Sequence, residues 1–287
     1  MSNNLEILDI PFTTLYEKEV LERIKRRLAQ PAGRALFIAT PNPEILLASR
    51  KDLMYKKVIQ SADINIPDGN GLIWAYRFLA NNRSKRNSVL IACSALFSLL
   101  AFAFQAKDNK IRFNQAIHGS DLTMKICCHP EISRHRIFLL GNKKGLKADS
   151  AARAARKLTE INPDINLAKA VDSTPDDLQL AKTIAADQPE ILLVGFGAPA
   201  QEIWLKENLS NLPSVKVAMG IGGTFDFIAG IVPRAPLPLR KMGLEWLYRL
   251  IKQPKRLRRI WNATVVFPCT IVQDRLANPD KYRIFHI

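Results

Sequence analysis

The stretch ILLVGFGAPAQEIWLKENL (191–209) decides how the chain is read. Ile191–Val194 is a short apolar run bounded by glycine, which reads as a buried strand. Gly195 and Gly197 follow at once and let the backbone approach a ligand. Pro199 can then open a helix, and 199–209 reads as that helix, with the Gln201 amide at its mouth. A bare turn needs less than this.

The same strand-to-helix unit recurs on both sides. Ala35–Ala39, Ile137–Leu140, Ile165–Val171 and Val215–Met219 read as further buried strands. Segments 43–60, 69–80, 119–128, 145–160 and 175–187 read as helices. Alternation of this kind predicts an α/β fold, a Rossmann-like and mostly parallel sheet with helices on both faces. Such sheets bind ligands beyond the carboxyl ends of their strands. The loops that start at Thr40, Gly141 and Gly195 are therefore the candidate site.

Charge divides the chain. The net charge is +16 over 287 residues. Residues 234–287 hold 12 Lys+Arg against 3 Asp+Glu. A basic tail of this kind points to a polyanion: nucleic acid, anionic lipid headgroups or a phosphorylated substrate. No nucleic-acid signature accompanies it, and Trp246 and Tyr248 sit among its basic residues, so a nucleic-acid partner is not expected. The expected organisation is a core over 1–233 and a basic helical C-terminal appendage over 234–287.

Val89–Phe104 interrupts the rhythm with 16 uncharged residues. A helix of that length measures about 24 Å, against roughly 30 Å for a hydrocarbon core. A membrane span is thus disfavoured. A buried helix and a helix dipping into one leaflet between basic flanks both stand. This apolar insertion occupies about 80–112 in the expected core.

Cys93, Cys127, Cys128 and Cys269 have no metal or thioredoxin spacing and read as buried free thiols. No secretory signal is evident at the N-terminus, so the expected location is the cytoplasm. Neither the histidines nor an Asp-x-Asp pattern supplies metal ligands.

Several loops carry candidate chemistry. In Thr40-Pro41-Asn42-Pro43-Glu44, Asn42 fits a helix N-cap and Pro43 the first helical position. The other reading places Thr40 and Asn42 in the site. Asp68, in the strand-to-helix junction Ile66-Pro67-Asp68-Gly69, is either a helix cap or a carboxylate that takes a proton from a sugar hydroxyl. The loop from Gly141 to Gly145 is either a plain turn or a phosphate-holding helix mouth. Arg249, Arg256 and Arg259 are either a solvated face or a guanidinium cluster on a diphosphate.

Taken together, the chain resembles the WecG/TagA/CpsF family of bacterial glycosyltransferases from about Ile7 to Arg259. The motifs that carry the resemblance are Asp68-Gly69, Gly119-Ser120-Asp121-Leu122, Gly197-x-Pro199-x-Gln201-Glu202, Arg234-Ala235-Pro236 and Leu244–Leu250. It implies inverting, metal-independent transfer of a sugar from a UDP-sugar donor to a polyprenyl-diphosphate-linked sugar acceptor, with no cofactor. It also implies a peripheral position on an anionic membrane surface, at the inner face of the cell membrane, and copies able to self-associate. By matching position, Asp68 is the catalytic base. Thr40, Asn42, Gly141, Gln201, Glu202, Arg234, Arg249, Arg256 and Arg259 are the substrate-binding set. The chain departs from the pattern at Ala116 and Ala200, where the family carries Arg and Lys, and at Val171-Asp172-Ser173. The link from Asp68-Gly69 to Gly119 is also longer. A catalytically impaired member, acting as a binding or assembly module, is the alternative.

Overall fold

The structure is a computed structural model that describes residues 4–31, 33–85, 87–104, 117–142, 149–233, 236, 248, 250–251 and 257–282. Its centre is a six-stranded parallel sheet. The strands are β3 (Leu36–Ala39), β4 (Ile64–Asn65), β5 (Ile137–Asn142), β6 (Leu167–Ser173), β7 (Ile191–Val194) and β8 (Val217–Gly220). Their order across the sheet is β4-β3-β8-β7-β5-β6. Strands β3, β7 and β8 are buried at every position, as a parallel sheet covered on both faces requires.

Alternate residues of each strand feed two different cores. Leu36, Ile38, Ile137, Leu139, Ile191, Leu193, Val217 and Met219 face one side. They meet α1 (Glu17–Ala29), α6 (Gly119–Cys128), α7 (Ser150–Ile161) and α10 (Thr224–Ile228). Phe37, Phe138, Leu140, Leu192, Val194 and Ala218 face the other. That side is covered by α8 (Leu180–Ala186) and α9 (Ala200–Asn208). The expected α/β architecture with helices on both faces is what the chain adopts.

A third core forms around a hairpin, β1 (Asn4–Ile7) and β2 (Ile10–Thr13), which pairs antiparallel. It joins α2 (Pro43–Lys51), α3 (Leu53–Gln60), α4 (Asn70–Asn81), α5 (Ser88–Phe104) and α12 (Phe267–Ala277). Phe267, Ile271 and Tyr282 are fully or almost fully buried there, so the end of the basic segment is packed into the molecule. Before α12 come α11 (Leu257–Trp261) and a π-helical turn, Asn262–Val266. Arg275, buried in α12, donates from Nη2 to the carbonyls of Asn82 (2.8 Å), Arg83 (3.3 Å) and Lys85 (2.8 Å). A cation on these carbonyls satisfies groups that a helix end leaves open. It fixes where α4 stops and the insertion begins.

Some expectations need correction. The single helix read over 43–60 is two, because Asp52 turns the chain and caps α3 through Oδ1 onto the amides of Met54 and Tyr55. The strand read from Ile165 begins at Leu167 and runs on to Ser173. Helix α1 and the hairpin were not anticipated, and the strand expected before Asp68 is only the two-residue β4. Among the cysteines, Cys127 is buried but Cys93 and Cys269 are exposed. Helix α5 is not a buried helix: Ile91 and Ala95 are covered, while Val89, Leu90, Leu96 and Phe97 are open to solvent. No helix among the described residues is long and apolar enough to cross a membrane.

Candidate active site

A cavity of about 650 Å³ lies beyond the carboxyl ends of β4, β3, β8 and β7. Four helices start at its wall: α2 after Asn42, α6 at Gly119, α9 after Pro199 and α10 at Thr224. Helix N-termini carry unpaired N–H groups and the positive end of the helix dipole, so their convergence favours an anionic ligand.

The motif from Gly197 to Glu202 explains itself once folded. Gly197 and Gly222 have φ of +83° and +56°, in the left-handed region where a side chain is strained. Their amides then both donate to Gln201 Oε1, at 3.1 and 2.9 Å. Gln201 Nε2 donates to Glu202 Oε1 at 2.7 Å, and Tyr55 Oη donates to Glu202 Oε2 at 3.2 Å. Gln201 thus ties the loop after β7 to the loop after β8. Burial pushes the Glu202 carboxyl up to about 7, against the lowering effect of the Gln201 and Tyr55 hydrogen bonds. Glu202 lies behind the cavity wall, which Tyr55 and Gln201 line.

Asp68 stands on the opposite wall. Its backbone amide donates to Pro41 O at 3.0 Å, which fixes the strand-to-helix turn. Helix α4 takes Gly69 as its N-cap, with φ of +98°, and no side chain caps it. The capping reading of Asp68 therefore fails, and its carboxylate is left for the cavity that it lines. His118, at the start of α6, places Nδ1 3.4 Å from Asp68 Oδ1. The spacing of His118 offers no metal-ligand pattern, and its proximity to Asp68 joins the start of α6 to the turn after β4, 50 residues apart in sequence.

Other predicted residues divide. Thr40 lines the cavity and its Oγ1 donates to Gly220 O at 3.2 Å, linking β3 to β8. Asn42 also lines it while capping α2, with Oδ1 accepting from Glu44 (3.0 Å) and Ile45 (3.1 Å). The Thr40–Glu44 loop thus caps α2 and lines the cavity at once. Arg259, on α11, lines the cavity with its fork held by Glu44: Nε and Nη2 lie 2.7 and 2.6 Å from Oε2. Arg234, Arg249 and Arg256 lie outside the described residues, as does Ala116.

Gly141 does not line the cavity. A Cβ there would come within 2.1 Å of Asp172 Oδ1, so the glycine makes room for that carboxylate. Asp172 in turn accepts from Ser150 Oγ and from the amides of Ala151 and Ala152, capping α7. The departure at Val171-Asp172-Ser173 is thereby explained as a helix cap rather than a ligand contact. Residues that sequence reasoning passed over include Tyr55, Lys51 and Asp226, all on the cavity wall. Nothing local to Asp226 signals that α10 would turn it inward.

The sequence profile of the Glycosyl transferase WecG/TagA/CpsF family matches residues 5–107 and 99–281. The chain belongs to that family. Its WecG/TagA/CpsF match meets at 99–107, where the apolar helix α5 ends. A Bacillus subtilis (strain 168) protein is 32% identical over 78% of this chain and 74% of its own length. A Bacillus spizizenii protein is 27% identical over 87% of this chain and 84% of its own. One from Staphylococcus aureus (strain MRSA252) is 28% identical over 89% and 87%. All three are named N-acetylglucosaminyldiphosphoundecaprenol N-acetyl-beta-D-mannosaminyltransferase. Membership of the WecG/TagA/CpsF family makes glycosyl transfer in cell-envelope polysaccharide synthesis the frame for the cavity.

Proposed function

We propose that the chain moves a sugar from a UDP-sugar to a sugar carried on a polyprenyl diphosphate, with inversion, at the inner face of the cell membrane. The observation that carries this reading is Asp68: a carboxylate relieved of capping duty, on the wall of a cavity where four helix N-termini converge. In the proposed step Asp68 takes the proton of the acceptor hydroxyl. That oxygen bonds to the anomeric carbon as the bond from that carbon to the UDP oxygen breaks, and UDP leaves with the electron pair. The beta linkage in the relatives' names fits inversion of an alpha-linked nucleotide sugar, and an N-acetylmannosamine donor is the first to test.

Charge on departing UDP needs an offset. The reading assigns it to the helix N-termini and to arginines of the basic segment, Arg259 first, with Arg234, Arg249 and Arg256 joining it, and requires no metal. Arg259 would exchange Glu44 for the diphosphate, which presents the same kind of oxygen acceptors to the guanidinium fork. Thr40 and Asn42 shape the sugar side of the cavity in this account. Gln201, with Glu202 behind it, holds the loops that surround the donor, and Gly141 acts at a distance through the Asp172 cap.

The test uses the full chain, a panel of UDP-sugars and a polyprenyl diphosphate bearing N-acetylglucosamine. Expected are an acceptor heavier by one sugar residue in mass spectrometry and release of UDP. Stabilisation of the fold by UDP should accompany it, because a ligand that binds only the native state raises its melting temperature. No product from any donor, together with no UDP stabilisation, would overturn the reading in favour of a non-catalytic assembly module.

A further inference from the structure

The exposed side of α5 has no role in the cavity. Val89, Leu90, Leu96 and Phe97 are 69%, 59%, 65% and 75% exposed, and Cys93 is exposed among them. Their spacing puts them on one stripe of the helix. The opposite side is anchored. Ile91 and Ala95 pack into the third core, and Ser94 and Ser98 accept hydrogen bonds from Asn82 Nδ2 and Trp74 Nε1, each at 3.1 Å. An isolated exposed leucine needs no explanation, but a contiguous apolar stripe on an anchored helix marks an interaction surface.

Direction matters as well. The contacts of Ser94 with Asn82 and of Ser98 with Trp74 make α5 antiparallel to α4. Helix α4 begins at Asn70, two residues after Asp68. The apolar stripe therefore runs toward the Asp68 end of the cavity.

We infer that this face of α5 seats in the interfacial layer of an anionic lipid bilayer, beside the entrance to the Asp68 wall. Length and anchoring decide against a span. Seventeen residues make a helix of roughly 25 Å with one side committed to protein, which suits a helix lying in the plane of the interface. Charge decides between a bilayer and a second copy of the chain. Helix α5 itself carries no charge, and in sequence it is flanked by Lys85 and Arg86 before it and by Lys107 after it. Two such faces brought together would set like charges against each other, whereas anionic headgroups neutralise them. The proposal deepens the lipid-linked acceptor reading, since it holds the cavity beside the membrane that carries such an acceptor. Its test needs no turnover, so a chain found inactive would leave it standing.

Vesicle co-sedimentation of the full chain, with phosphatidylglycerol–phosphatidylcholine vesicles, is compared with that of a Leu96→Gln/Phe97→Gln double variant. Both side chains are exposed, so the variant should melt with the parent. Removing two apolar side chains from the interface should weaken vesicle partitioning roughly tenfold or more. Added salt should weaken the parent, and pure phosphatidylcholine should bind it poorly. A second readout places an environment-sensitive dye on Cys93 in a Cys128→Ser/Cys269→Ser background; a blue shift on adding anionic vesicles is expected. Unchanged partitioning of the double variant with no dye shift would overturn the proposal. So would a parent dimer that the double variant dissociates while vesicle binding stays the same.

Discussion

On one side of the cavity Gln201 binds the amides of Gly197 and Gly222 and the carboxylate of Glu202. On the other side Asp68 caps no helix and lies 3.4 Å from His118. Both residues belong to motifs that carry the family resemblance, and both line the same space. Their surroundings assign them different work. A side chain whose donors and acceptors already tie two loops together acts by holding geometry. A carboxylate next to open volume, with its helix capped by a glycine instead, is available for a proton.

That contrast can be broken by substitution, and the largest effect is expected at Asp68. Asp68→Asn keeps the volume and removes the base, so turnover should fall about 10²–10⁴-fold while the melting temperature stays within about 1 °C. A large loss of stability there would erase the contrast. Gln201→Ala should do the reverse. Two amides lose their acceptor, at about 1–3 kcal/mol each when shielded from water, and the melting temperature should drop by roughly 3–10 °C. Calorimetry on the variant checks this, and an unchanged melting point would mean the clamp holds nothing.

Arg259→Ala is expected to raise the donor KM roughly tenfold through loss of a charge-assisted fork. Its stability should barely change, because an ion pair this exposed is worth about 0–1 kcal/mol. Unaltered donor kinetics would remove Arg259 from the diphosphate site. The subtlest prediction concerns Glu202. Its carboxyl rises from the ordinary 4.5 to about 7, so the folded chain keeps a proton that the unfolded chain releases. The stability from this group is full below pH 4.5 and is lost as pH rises toward 7. Glu202→Gln stays neutral and should flatten that slope, which is at most about 1.4 kcal/mol per pH unit. Denaturant titrations at several pH values measure it; identical slopes in parent and variant would contradict the assignment.

Strands β3, β5, β7 and β8 were legible because they are buried on both faces and appear as apolar runs that end at glycine or at Thr40. The parts that escaped notice were short or depended on distant partners. Strand β4 was legible only as the junction before Asp68; it is two residues long, and its place is set by pairing with Ile38 and Ala39. Asp52 breaks an otherwise continuous helical pattern through a cap, a local bond that competes with the helix. In the site, Asp68, Thr40 and Asn42 were legible from strand-end position. Gln201 was legible as a motif residue but not as a clamp, since its partners Gly197 and Gly222 are joined only by the pairing of β7 with β8. No local pattern puts His118 beside Asp68; that follows only from the placing of α6 and α4. Gly141 misled because a strand-end glycine serves close packing as readily as ligand approach, and here Asp172 fills the space.

The central claim is that Asp68 performs chemistry which the Gln201 wall only frames. Single-turnover sugar transfer by Asp68→Asn, with UDP affinity measured on the same sample, tests it most directly. The account predicts a transfer rate down by about 10² or more with UDP affinity unchanged. A rate within threefold of the parent, at equal UDP affinity, would contradict it.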